Sequence, residues 1–176
     1  MIRALGPGSV SSFLKVILDV FYVVLWAVGL IFAAVIVGLL LISFNPQVLP
    51  APVLVHEIMG HAPGLSAAVR LTGAEVSLIG VLIIVQRLRK VFGAMTAGDP
   101  FHPDNVRRLR VIALVLALIE INDYVFGALD HFVLGAKIPT GFSLNLTAWF
   151  AVLVIVVLAE VFREGARLRR EAELTI

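Results

Sequence analysis

VILDVFYVVLWAVGLIFAAVIVGLLLI, from Val16 to Ile42, is the stretch that decides the fold. Its 27 residues hold one charged side chain, Asp19. A helix crosses a hydrocarbon core of about 30 Å with about 20 mostly apolar residues, so this run spans a bilayer with some tilt. The apolar core of a cleaved signal peptide has about 7 to 15 residues. The run is therefore expected to stay in the membrane as an anchor.

Working outward, three further apolar stretches follow. Ala68 to Leu88 is the weakest, because Arg70, Thr72 and Glu75 precede the strongly apolar VSLIGVLIIV of Val76–Val85. Val111 to Leu129 and Leu144 to Ala159 are bounded by charge or by Gly and Pro. The expected fold is all-α, an integral membrane four-helix bundle forming a single domain over residues 1–176. Its spans are about 16–42, 68–88, 111–129 and 144–159, with a basic loop at 89–110 and a tail at 160–176. Glu160, Arg163, Glu164, Arg167 and Glu171 offer opposite charges three and four residues apart, which should carry the last helix beyond its span. The second helix should continue to about Met95, with Gly93 and Gly98 marking its stop before Asp99-Pro100. The third restarts with Pro103 in its first turn, although His102 is a poorer N-cap than Ser, Thr or Asp.

The direction of crossing follows from where Lys and Arg lie. Arg87, Arg89, Lys90, Arg107, Arg108 and Arg110 surround the loop between spans two and three, and Arg163, Arg167, Arg169 and Arg170 stand in the tail. Ser43 to Ala67 has no Lys or Arg, and Asp130 to Phe142 has only Lys137. The positive-inside rule then predicts a chain with both termini and the basic loop on the cytoplasmic side. A multi-pass protein of the bacterial cytoplasmic membrane is the expected location.

Composition agrees. The chain is 60% hydrophobic and 15% charged, against roughly 45 to 50% and about 25% in soluble domains, and its mean hydropathy is +1.04. A formal charge of +2 is too small to point to nucleic acid, and no direct nucleic-acid binding is expected. The absence of cysteine removes disulfides, thiolate metal sites and cysteine nucleophiles together.

Two segments carry a recognisable pattern: GDPFHPDNVRRLRVIALVLALIE, from Gly98 to Glu120, and LAEVFREGARLRREAELTI, from Leu158 to Ile176. Through Asp99-Pro100-Phe101, Asn105, Arg108-Leu109-Arg110, Ala159 to Arg163, Gly165 and the closing Glu173-Leu174-Thr175-Ile176, the chain resembles the domain of unknown function 2975 family. The resemblance covers about a third of the chain by motif, and the first two spans agree in layout only. It implies a four-span membrane protein with no assigned activity, often encoded beside a small Cro/repressor-like helix-turn-helix regulator. Ala172 and His102 depart from the polar residues expected at those positions, which weakens local capping.

Two groups of residues are candidates for function. Asp99, Pro100, Phe101, Asn105, Arg107, Arg108, Arg110, Glu160, Phe162 and Arg163 lie at the basic side. Glu160 is expected to pair with Arg108 or Arg110 while Phe101 and Phe162 pack beneath. Such a corner is either a fixed structural joint or a docking site for a protein partner or anionic lipid headgroups. The second group, Arg70, Glu75, Glu120, Asn122 and Asp123, lies inside the spans, where ionisable side chains are costly and mark function by default. Arg70 could neutralise one carboxylate there and leave another needing a proton or cation. A salt bridge that fixes helix register and a polar cavity that binds a ligand or senses protons both fit this group.

Catalytic motifs are not found. In His56-Glu57-Ile58-Met59-Gly60-His61 the histidines are five apart, whereas a helical zinc site needs them at i and i+4. His56, His61 and His131 form a weak outer-side metal candidate. No GxSxG, P-loop or Rossmann glycine pattern is present, so neither an enzyme nor a bound cofactor is expected. The leading expectation is a membrane sensor or regulatory protein whose cytoplasmic face binds a partner, such as a helix-turn-helix transcriptional regulator. The rivals are an ion- or proton-coupled transporter or channel using the intramembrane carboxylates, and a structural or lipid-binding bundle. A homodimer would better hide Arg70 and Glu75.

Overall fold

A computed structural model describes residues 10–44, 64–132 and 144–174. These residues form four α-helices and no strand: α1 Val10–Phe44, α2 Gly64–Thr96, α3 Pro103–Phe132 and α4 Leu146–Glu173. Each is long and apolar enough to cross a membrane, through Ser12–Leu41, Ala67–Thr96, Pro103–Leu129 and Leu146–Ala172. At 1.5 Å per residue the longest of these segments extend ~45 Å, past the hydrocarbon core and into the headgroup layers. The chain is thus a multi-pass membrane protein of the all-α class.

The helix ends follow from local chemistry. α2 stops at Gly98, whose φ of +85° is open to glycine without a Cβ penalty. Gly98 N–H donates to Met95 O at 3.1 Å and Asp99 N–H to Ala94 O at 3.0 Å, the paired bonds of a Schellman cap. Pro103 opens α3 as expected, where its missing N–H costs nothing. His102 stands at the cap position, and its Nδ1 accepts the Asp104 N–H at 3.2 Å. α4 starts at Asn145, whose side chain accepts from Ala148 N–H at 3.3 Å.

The chain divides into two compact units, one of Met1–Leu25, Gly80–Leu118 and Asn145–Ile176, the other of Trp26–Ile79 and Ile119–Leu144. In the first, Leu109, Ile112 and Ala159 form the core, with Ile84, Leu88, Leu116, Ile155 and Phe162 packed on it. Ala159 is fully buried. Its small side chain lets α4 come close to its neighbours, the usual means of helix association in lipid. In the second, Leu39, Ala67 and Ala68 are buried with Leu40 and Leu71 against them. Gly73 serves the same end: a Cβ there would lie 2.7 Å from Phe126 Cγ. Many large apolar side chains remain outward, among them Phe13, Val23, Leu30 and Phe150, as befits helices solvated by lipid.

Candidate functional site

In the first unit the recognisable residues gather around the α2–α3 turn and the polar half of α4. Asn105 lies at the centre of this group. It is fully buried, donates from Nδ2 to Pro100 O at 2.9 Å and accepts from Arg108 Nη1 at 2.7 Å. The same Arg108 nitrogen donates to the backbone oxygen of Lys90 at 3.1 Å, which ties the first turn of α3 to α2. Arg108 also faces Asp104 at 3.6 Å.

Glu160 has two partners. Arg110 reaches it across helices at 2.9 Å and Arg163 along α4 at 2.7 Å. Of the two partners expected for Glu160, the structure therefore selects Arg110. Arg169 reaches from α4 to Asp99. The Phe101 and Phe162 rings pack as expected, with centroids 5.7 Å apart and tilted by 53°. Phe101 also lies on Gly165, where a Cβ would come within 2.6 Å of its ring. Along α4, Arg167 pairs with Glu164 at 2.7 Å and with Glu171 at 3.6 Å. Three features were missed in the sequence. Asp19 pairs with Arg89, and the Arg89 guanidinium stands 4.6 Å from the centre of the Tyr22 ring. Arg87, Lys90, Asp104, Arg107 and Arg108 line a cavity of about 160 Å³. Only the clustering of positive charge before and after the turn hinted at that cavity.

The second unit holds the intramembrane group. Asn122 Nδ2 donates to Gly73 O at 3.0 Å and to Ser77 Oγ at 2.9 Å. Ser77 Oγ in turn donates to Asp123 Oδ1 at 3.0 Å. Ser77 was not among the expected cluster residues, yet it is the link between Asn122 and Asp123. Glu75 Oε2 is buried without a hydrogen-bond partner among the described residues, and a Cβ on Gly29 would lie 3.5 Å from its Oε1. Arg70 is exposed on α2 and Glu120 half-buried on α3. His131 is exposed, while His56 and His61 lie outside the described residues. No group of three metal-ligating side chains occurs among the described residues.

The four membrane-length helices define the class, a small multi-pass membrane protein. Residues 61–176, well over half of the chain, match the family described as Protein of unknown function (DUF2975), and the chain belongs to that family. No curated protein and no solved structure matches it.

Proposed function

We propose that the protein is a membrane-embedded sensor or regulatory subunit whose Arg-rich face lies in the cytoplasm and binds a soluble protein partner. The carrying observation is the way the polar half of α4 is held by Arg110–Glu160, Arg169–Asp99 and the Phe101–Phe162 contact. These contacts preorganise a surface that still presents Arg163 and Phe101 to solvent, and a preorganised surface loses less entropy on binding. A surplus of Lys and Arg on this face also meets the positive-inside rule. The partner of choice is the Cro/repressor-like helix-turn-helix protein often encoded beside members of this family. Its purified form should be retained by the detergent-solubilised protein, and Arg110→Ala and Glu160→Ala should each weaken retention. Absence of retention, or retention indifferent to both substitutions, refutes the reading.

A second reading draws on Glu75. A carboxylate oxygen buried without a partner among the described residues, in a unit where Asn122, Ser77 and Asp123 are hydrogen-bonded, suits a proton or cation. On this reading the protein moves or senses a cation through the second unit. Proteoliposome flux that survives Glu75→Gln and Glu120→Gln undiminished would exclude it.

A further inference from the structure

Most cations of the first unit have found acceptors. Arg89, Arg108, Arg110, Arg163, Arg167 and Arg169 all form ion pairs. Arg87, Lys90 and Arg107 form none among the described residues, and all three line the same cavity of about 160 Å³. Arg87 and Lys90 are three apart on α2 and so share a face. Arg107 and Arg108 stand on the first turns of α3, held against α2 by the Arg108 bond to Lys90 O. The one acid in the lining, Asp104, already faces Arg108 at 3.6 Å. Four positive groups and one negative group thus line one small space, with Arg87 and Arg108 half-buried at its wall.

Arg87 Nε is buried and has no acceptor among the described residues. Buried donors are nearly always satisfied, so an orphaned guanidinium nitrogen calls for an acceptor from outside the chain. Planar guanidinium groups beside an ammonium suit tetrahedral oxyanions, which accept several charge-assisted hydrogen bonds at once. The volume limits the choice. Pockets for drug-sized ligands run to about 300–1,000 Å³, so this one is of a size to take a phosphate group.

We infer that Arg87, Lys90, Arg107 and Arg108 form a binding pocket for the phosphate of an anionic phospholipid headgroup. The favoured source follows from position on the helix. Arg87 and Lys90 come directly after the apolar Val76–Val85 run of a membrane-length segment, which sets them at headgroup depth when α2 crosses a bilayer. Basic pockets between helices at that depth recognise phospholipid headgroups. Inorganic phosphate offers the same oxygens without the acyl chains. The inference is independent of the partner reading, because partner retention is read at Arg110 and Glu160 and lipid binding at Arg87 and Lys90.

Native mass spectrometry of the purified full chain in mild detergent tests it, with phosphatidic acid, phosphatidylcholine and sodium phosphate as probes. Phosphatidic acid should bind about tenfold or more tightly than phosphatidylcholine. The double variant Arg87→Gln/Lys90→Gln should lose that preference, Arg87→Lys should keep most of it, and Arg167→Gln, which removes a paired cation of α4, should leave it unchanged. If the double variant does not stay folded, Arg107→Gln at an exposed position carries the same readout. Equal binding of the two lipids overturns the inference, as does an equal loss in Arg167→Gln. Displacement of the lipid by millimolar phosphate that itself binds the native protein but not the variant overturns the lipid assignment.

Discussion

The two units of the molecule treat their polar side chains in opposite ways. In the first, charges meet charges: Glu160 with Arg110 and Arg163, Asp99 with Arg169, Asp19 with Arg89. Those side chains remain between 32% and 64% exposed, and ion pairs so well solvated contribute little to stability. In the second, an amide, a hydroxyl, a carboxylate and a backbone carbonyl share hydrogen bonds, through Asn122, Ser77, Asp123 and Gly73. There Glu75 keeps one buried carboxylate oxygen without a partner among the described residues. The difference teaches that the conspicuous charges of the first unit orient its surface side chains and contribute little to its stability. What holds each unit is what it buries: Asn105, Ala159 and Ile112 in one, the Gly73–Phe126 contact and the Leu39 cluster in the other.

The strongest way to break that comparison is Asn105→Ala. It removes the donor to Pro100 O and the acceptor for Arg108 at a position with no solvent to replace either. Losing a bond to a charged group and leaving the carbonyl of half-buried Pro100 without its side-chain donor should cost about 2–3 kcal/mol, read as a lowered thermal midpoint in detergent. Asn105→Asp, which keeps the acceptor for Arg108 and loses the donor, should fall between. A loss no greater than that of an exposed ion pair would show that the turn is held by its charges after all.

The second unit is sharpened by Gly73→Ala. The new methyl would meet Phe126 at Cγ, Cδ1 and Cβ, within 3.0 Å of each. Relief at Cβ requires movement close to the α3 backbone, not a swing of the ring tip. Overpacking of this kind costs about 1–3 kcal/mol, less up to about 1 kcal/mol regained from the better helix propensity of alanine. Asn122→Ala should cost less, on the order of 0.6 kcal/mol, the average for interhelical hydrogen bonds in membranes. Unfolding in mixed micelles ranks the two, and the reverse order would make the hydrogen-bond network, not the close approach, the main tie in this unit.

Much of this was legible in the sequence, and the line between what was and was not is physical. Helix lengths and ends are local properties: the apolar run of Val16–Ile42, Gly98 before Asp99-Pro100 and Pro103 at the first turn of α3 all read directly. The pairs within α4 were legible for the same reason, since three- and four-residue spacing fixes which side chains are neighbours. Cross-helix partners were not, because they depend on how each helix is rotated about its own axis. Glu160 had two candidate arginines on α3, and only packing decides for Arg110. Asp19 with Arg89, Ser77 between Asn122 and Asp123, and Phe126 on Gly73 are distant in the chain, at separations of 45 to 70 residues where the structure gives a hydrogen bond. Sequence pattern carries no signal for those contacts without knowledge of the facing surfaces. Nor do apolar stretches reveal small contact residues such as Ala159 and Gly73, since glycine and alanine occur throughout these helices and only those at a crossing point matter.

The smallest effect should come from the most conspicuous residue. Glu160 is the common partner of Arg110 and Arg163, and its side chain is 42% exposed. Glu160→Gln keeps the shape, removes the charge and still offers an amide oxygen to either guanidinium. Solvent and salt already screen the pair, so the loss should fall within about 0.2–1 kcal/mol and shrink as salt rises. The consequence for a partner is different in kind. Neutralising Glu160 releases two arginines from a fixed arrangement and changes the charge pattern that a partner would read, and such patterns set specificity and association rate more than they set stability. The expected outcome is an almost unchanged thermal midpoint with weakened partner retention at low salt. A large fall in the midpoint would make Glu160 a structural joint of the first unit, and its charge would then be part of what holds the fold, contrary to the contrast between the two units.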